Sequence, residues 1–367
     1  MLLNKEPRLH SYAAAIVEWQ RRHGRHHLPW QGTRDPYRIW LSEIMLQQTQ
    51  VATAIGYYER FLARFPDLQT LAGASQEEVM PYWAGLGYYA RARNLHRCAQ
   101  TLCKDWGAAF PKTSAEIATL PGIGRSTAAA IAAFAYGERS PIMDGNVKRV
   151  FTRYFGIEGI TSARATEQLL WRTAEAALNE ATQDPDMAAY TQGLMDLGSQ
   201  CCTRSKPNCP ACPLQANCYA FAHSRQNELP TPRKKKVSPE RECKMLILAS
   251  ADAILLEQRP SPGIWGGLWS LPQYEDEQAL EMACANWGQS PGTAQKMAGL
   301  VHVFSHFRLH IEPWYLRAGT PIAAEPAPQQ AWIPVSELSS TALPAPVKKI
   351  LGGLFPTGDL ISFPDQT

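Results

Sequence analysis

Apolar positions recur at helical spacing through residues 1–222, as in Ile39, Leu41, Ile44, Met45 and Val51. Long Ala- and Leu-rich runs are separated by short Gly/Pro breaks such as LPGIG, AYGERSP and IEGITSA. This pattern predicts an almost wholly helical first part. The periodicity stops at 224–239, SRQNELPTPRKKKVSP, which holds three Pro and four consecutive basic residues and reads as an exposed linker. Beyond it the runs shorten towards a period of two. CKMLILASADAILLEQRP predicts two strands about a turn at Ala251-Asp252, and LWSLPQY, LVHVFSHFRLHIEPWYL and AWIPVSEL continue the β-rich pattern. In LVHVFSHFRLHIEPWYL, Val301, Val303, Phe307, Leu309 and Ile311 are expected to alternate on one half-buried strand. The expected organisation is a mainly α domain at 1–224, a basic Pro-rich linker at 225–240 and a smaller α+β domain at 241–367.

At 367 residues and 45% hydrophobic, the chain can bury two cores and is not globally disordered. Its net charge of +3 hides an uneven split. Residues 1–240 carry 28 Lys+Arg against 21 Asp+Glu, and 241–367 carry 8 against 12. A basic front half suits a polyanionic partner. No run of about 18 apolar residues predicts a membrane span, and MLLNKEPRLHSYAAAIVEWQRRHGRHH lacks a secretory pattern. An intracellular location, cytoplasmic or nucleoid-associated, is therefore expected.

Of the nine cysteines, five (Cys201, Cys202, Cys209, Cys212, Cys218) fall within 18 residues. An odd total without a secretory signal argues for a metal site rather than a disulfide framework. Cys202, Cys209, Cys212 and Cys218 form a C-x6-C-x2-C-x5-C loop that suits either tetrahedral zinc or a cubane iron–sulfur cluster. Cys201 is a possible substitute ligand. Arg204 and Lys206 lie inside the loop, which could present them to phosphate. Upstream, LPGIGRSTAAAIAAFA at 120–135 places Gly122 and Gly124 in a tight turn before an Ala-rich helix whose amides can face an anion. About 20 residues on, Asp144 precedes Gly145 and Asn146 and a new helix, so its plainest role is that of a helix N-cap.

LPGIGRSTA, MDGNVKRV and the four-cysteine loop together resemble the helix-hairpin-helix DNA glycosylases that carry an iron–sulfur cluster, the endonuclease III-like superfamily. LPWQ at 28–31, WLSEIMLQQTQV at 40–51 and GLGYYARARNLH at 85–96 look like its adenine-excising, MutY-type branch. GIWGGLWSLPQ at 263–273 and HVFSHFRLHI at 302–311 resemble that branch's Nudix-like domain. The resemblance runs from about residue 8 to 355. It implies a helix-hairpin-helix glycosylase domain with a 4Fe-4S cluster on Cys202, Cys209, Cys212 and Cys218, followed by a Nudix-like recognition domain. The implied activity is hydrolysis of the N-glycosidic bond of adenine opposite 8-oxoguanine or guanine, after base flipping.

The roles implied follow residue by residue. Glu43, in an apolar helix where burial would raise its pKa, would protonate the leaving adenine. Asp144 would stay ionised and stabilise the sugar cation or attack it, with Asn146 orienting it or a water. The plain alternative for Glu43 is a surface carboxylate paired with an Arg. Gln48 and Tyr88, helped by Leu86, would wedge into the duplex; the plain alternative for Tyr88 is an ordinary core aromatic. Trp30 would wall the adenine pocket. Gly122, Gly124 and Ser126 would meet DNA in the hairpin. Lyase relatives carry a Lys at the position of Ser126, and no Lys occurs between Lys112 and Lys148, so little or no lyase activity is expected. Arg91, Arg93, Arg97 and Lys104, in an acid-free stretch, suit phosphate contact. Phe304, Ser305 and His306 would inspect the oxidised guanine. Segment 275–288, EDEQALEMACANWG, has no Glu pattern for magnesium, so no pyrophosphatase activity is expected. The expected partner is duplex DNA bound by a monomer, without a membrane. An endonuclease III-like lyase for oxidised pyrimidines, or a DNA-binding protein with a vestigial pocket, are the competing readings.

Overall fold

The computed structural model describes residues 11–181, 184–233, 237–260, 263–288, 290, 292–318 and 325–355. Two compact units emerge: Met1–Gly73 with Asn94–Lys235, and Ala74–Arg93 with Lys236–Thr367. The second unit thus takes in residues 74–93, which the sequence pattern assigns to the helical domain. Its reason is visible in the packing: the Arg93 guanidinium donates to the Gly266 carbonyl at 2.7 Å.

The first unit is helical among its described residues. Helices α1 (Tyr12–His23), α2 (Pro36–Leu46), α3 (Val51–Arg64) and α4 (Leu68–Gly73) precede the excursion into the second unit. The second unit contributes α5 (Gln76–Trp83), and α6 (Ala90–Asp105) then leads back. A single turn, α7 (Ser114–Ile117), is followed by α8 (Arg125–Tyr136), α9 (Gly145–Phe155), α10 (Arg164–Asn179) and α11 (Met187–Asp196). The core gathers Tyr12, Ile16, Phe151, Tyr154, Leu170, Tyr190 and Leu194, from helices far apart in sequence. Ala129, Ala130 and Ala133 of α8 also belong to this core, so the Ala-rich run lets neighbouring helices approach closely.

The stretch expected to be an exposed linker is partly fastened down. Leu229 is buried at 2% exposure. Its carbonyl accepts from Arg153 Nε at 2.8 Å, and the Thr231 hydroxyl accepts from the Gly159 amide at 2.9 Å. Arg225 pairs with Glu158 and Glu228. The Pro-rich, charged composition hid this because its acceptors and donors are mostly backbone atoms.

The second unit holds an eight-stranded sheet. β1 (Glu240–Ala249) runs parallel to β7 (Arg308–Arg317), Glu240 opposite Arg308 through Ala249 opposite Arg317. β2 (Ala253–Gln258) pairs antiparallel with β8 (Gln330–Pro334) and β3 (Trp269–Ser270); β4 (Gln273–Tyr274) joins β1, and β5 (Gln295–Lys296) joins β7. Helix α13 (Glu277–Asn286) buries Leu280 and Cys284 against Leu246, Leu248 and Leu316. The long segment expected as one alternating strand is instead a hairpin: β6 (Leu300–Val303) returns antiparallel as β7. Phe307, Leu309 and Ile311 are buried, but Val301 and Val303 face solvent. Reversal of the chain at 304–307 breaks the continuity of the face. The remaining helices are α12 (Tyr219–Ala222) and α14 (Ala345–Leu354).

Arg153 is only 3% exposed. It donates to four carbonyls, of Leu229 (2.8 Å), Thr203 (2.7 Å), Arg204 (3.0 Å) and Cys202 (3.5 Å), and approaches Cys202 Sγ at 3.3 Å. Replacing it orphans those buried acceptors, each costing about 1–3 kcal/mol. Arg153→Met is expected to lose several kcal/mol in urea unfolding, against less than about 1 kcal/mol for the exposed Arg97→Met.

Candidate active site and nucleic-acid interface

Helix α2 starts with Asp35 as N-cap, its carboxylate accepting from the Tyr37 amide, and with Pro36 in the first turn. Trp40, Leu41, Ile44 and Met45 are buried around Glu43. α2 packs on α8, and Gln47 Nε2 reaches the Thr127 hydroxyl at 3.4 Å. Ser126, at the start of α8, accepts from the Met143 amide at 2.9 Å. That bond fixes the backbone immediately before Asp144. Asp144 caps α9, its Oδ1 accepting from the Val147 amide at 2.7 Å. The capping role and proximity to Glu43 therefore coexist in one residue.

The two carboxyls differ in environment. Burial, and next the nearby charge of Asp144, push the Glu43 carboxyl up to about 8. Burial raises Asp144 as well, but the Val147 and Asn146 amides and the cations of Arg149 and Lys148 oppose the rise. Burial thus favours the protonated form of Glu43, while the amides and cations around Asp144 favour its charged form. This is not the surface carboxylate paired with an Arg.

Asn146 is tied into the scaffold: its Oδ1 accepts from Arg149 at 2.9 Å. Arg149 also donates to the carbonyls of Gly198 (2.6 Å) and Cys202 (2.7 Å). Gly198 lies in one turn of π-helix, Leu197–Cys201, and a Cβ there would come within 2.6 Å of Asn146 Cβ. Glycine is thus required for this turn to approach the start of α9. Neither Arg149 nor Arg153 was singled out from the sequence. The spacing of i, i+4 on α9 was the available signal, but their acceptors are distant carbonyls.

Cys202, Cys209, Cys212 and Cys218, with Cys201, line one cavity that is partly open to solvent. Among the described residues, no three His, Cys, Asp or Glu side chains converge closely enough to hold a single ion. Four thiols gathered around one cavity are a donor set that suits either an iron–sulfur cluster or a tetrahedral zinc. Cys201 turns its thiol to the Asn208 carbonyl at 3.2 Å.

Gly122 takes φ +77°, and a Cβ there would meet Asn94 Cβ at 2.6 Å. Gly124 is extended instead, at φ −89° and ψ 166°, with open space around it. Gln48 (φ 59°) and Tyr88 (φ 49°) are exposed non-glycine residues in the left-handed region. Such backbone costs free energy and concentrates at functional segments. Leu86 is buried at 7% exposure, so Tyr88, at 45%, is the apolar tip of its loop. The basic stretch also divides. Arg91 lies over the Trp83 and Tyr88 rings and donates to the carbonyls of Leu86 and Gly87, and Arg93 binds Gly266. Arg97 and Lys104 are the exposed cations there. Trp30 is buried, edge-on to Tyr58 at 5.4 Å.

In the second unit Phe304 closes the hairpin, its amide donating to the Phe307 carbonyl at 2.9 Å while the rings stack at 4.4 Å. Ser305 and His306 stand exposed at the tip.

A helical unit with a glycine hairpin, a capped carboxylate and a four-cysteine loop defines a base-excision class, and residues 41–176 match the HhH-GPD superfamily base excision DNA repair protein family. Residues 244–352 match a NUDIX domain. The adenine DNA glycosylase of Buchnera aphidicola subsp. Baizongia pistaciae (strain Bp) is 36% identical over 341 residues, 92% of this chain and 94% of that protein. The adenine DNA glycosylase of Homo sapiens is 32% identical over 405 residues, 93% of this chain and 73% of that one. A thermostable thymine-DNA glycosylase structure aligns at TM-score 0.52 and 26% identity, covering 59% of this chain and 98% of its own. The chain belongs to the adenine DNA glycosylase family. Among the described residues no helix is long and apolar enough to cross a membrane.

The Glu43 carboxyl rises from 4.5 unfolded to about 8 folded, so the native state binds the extra proton between those values. Its stability cost is absent below about pH 4.5 and complete above about pH 8. Glu43→Gln is therefore expected to melt increasingly above wild type as pH rises through that window. Parallel melting curves from pH 5 to 8 would contradict the assignment.

Proposed function

We propose that this protein excises adenine from A:8-oxoguanine and A:G mispairs in duplex DNA by hydrolysis, acting as a monomer in base-excision repair. The observation that carries the reading is the split between Glu43, raised to about 8, and the amide-held Asp144. Adenine leaves poorly as an anion. A flipped adenine set against Glu43 takes its proton as the C1′–N9 bond breaks, with the bonding electrons going to the base. Asp144, ionised, balances the oxocarbenium charge on the sugar. Water then adds to C1′, and its proton restores Glu43.

Family membership and the relatives' names support adenine as the base. Gln48 and Tyr88 suit the wedge, since both are exposed on strained backbone. Gly122, Gly124 and Ser126 suit the phosphate approach, and Trp30 the pocket wall. Asn146 orients Asp144 through the Arg149 network. Ser126 offers a hydroxyl, already engaged by an amide, where a lyase needs an amine. Ser305 and His306, framed by Phe304, suit reading of the opposite base. Cys202, Cys209, Cys212 and Cys218 would hold a 4Fe-4S cluster that stiffens the loop bearing Arg204 and Lys206.

Single-turnover base release on A:8-oxoguanine, A:G and A:T duplexes tests this. Release is expected on the first two and not the third. The rate should fall as pH rises through about 8, where Glu43 loses its proton. Glu43→Gln should lose at least about 100-fold; retained excision would remove Glu43 from the acid role. For the cluster, thiolate-to-iron charge transfer should give broad visible absorption that disappears on acid extraction of iron. A colourless protein with one zinc per chain would overturn the assignment.

A further inference from the structure

The loop tipped by Tyr88 and the hairpin tipped by Ser305 belong to the same compact unit, Ala74–Arg93 with Lys236–Thr367. A continuous series of contacts joins them. Arg93, five residues beyond Tyr88, donates through its guanidinium to the Gly266 carbonyl at 2.7 Å. The preceding residue, Trp265, is buried at 5% exposure and holds φ 58°. A left-handed tryptophan costs about 1–3 kcal/mol and persists only where its surroundings over-determine it. Here the indole packs against Phe304 at 5.6 Å and His302 at 5.9 Å. Phe304 in turn stacks on Phe307 and closes the hairpin under Ser305. Arg93 therefore spends its charge on an internal carbonyl beside a strained aromatic.

We infer that Arg93 and Trp265 are positioning residues that tie the Tyr88 loop to the Phe304–Phe307 hairpin, so that the base read by the hairpin sets how firmly the wedge holds the adenine out. This rests on the adenine-excision reading above. Two contacts in series, neither made to DNA, transmit the identity of the opposite base to the excised one. A coupling of this kind appears as a change in discrimination rather than in chemistry, and contacts acting through one route are non-additive.

The test uses the full chain, with rates normalised to active enzyme and melting temperature recorded for each variant. Single-turnover excision is measured on A:8-oxoguanine and A:G duplexes. Arg93→Met and Trp265→Ala should each lower the ratio of the two rates about tenfold, with the A:G rate changed by less than about twofold. The double variant should fall no further than the worse single one. Arg93→Lys, which keeps a donor for the Gly266 carbonyl, should recover part of the ratio. An unchanged ratio in both single variants, equal losses on both duplexes, or additive losses in the double variant would overturn the inference. Loss on both duplexes with a shallower salt dependence would mark Arg93 as a phosphate contact instead. Wild type that excises neither substrate defeats the functional reading itself and this inference with it; wild type that excises both equally overturns this inference alone.

Discussion

Two arginines one helical turn apart on α9 hold the first unit's chemistry in place. Arg149 and Arg153 reach from the helix that Asp144 caps to the carbonyls of Gly198, Cys202, Thr203, Arg204 and Leu229. Buried carbonyls without donors are costly, and an irregular cysteine loop is full of them. The guanidinium fork satisfies several at once in fixed geometry. Asp144, the cysteine loop and the segment at Leu229 are therefore set by one helix. Gly198 enters the same constraint, since only a residue without Cβ lets the π-turn lie against Asn146.

The carboxyl pair depends on that frame. A Glu raised to about 8 is a stability cost, accepted where a proton donor is useful near neutral pH. Asp144 avoids the same rise in full because two backbone amides and two cations favour its charged form. Ser126 contributes from the hairpin side by holding the Met143 amide. The hairpin thus sets the backbone from which Asp144 projects.

Much of this was legible in the sequence where chemistry is carried by side chains at short spacing. LPGIGRS, MDGN and the four cysteines announce themselves because turns, caps and thiol ligands need particular residues at particular intervals. What stayed hidden depends on backbone partners far away in the chain. Arg149 and Arg153 drew no reading, since nothing in their spacing reveals acceptors 49 to 76 residues downstream. Residues 225–231 read as linker for the same reason: Leu229 is held by its carbonyl, which composition cannot show. Arg91 and Arg93 read as phosphate contacts because charge is visible and the Leu86, Gly87 and Gly266 carbonyls are not. The alternation from Val301 to Ile311 misled differently. Its period is genuine on each side, but a four-residue reversal at 304–307 lies inside it.

The charge split acquires a different meaning once these arginines are placed. The +7 of residues 1–240 is not all available to a polyanion. Arg149 and Arg153 serve backbone carbonyls, Arg25 serves the buried Asp196, and Arg93 serves Gly266. Part of the basic excess thus builds the scaffold, and a smaller set of exposed cations, among them Arg97, Arg204 and Lys206, remains to meet phosphate. Affinity for a duplex scales with the charges that reach it, not with the total. A salt dependence shallower than the sequence charge suggests is the consequence.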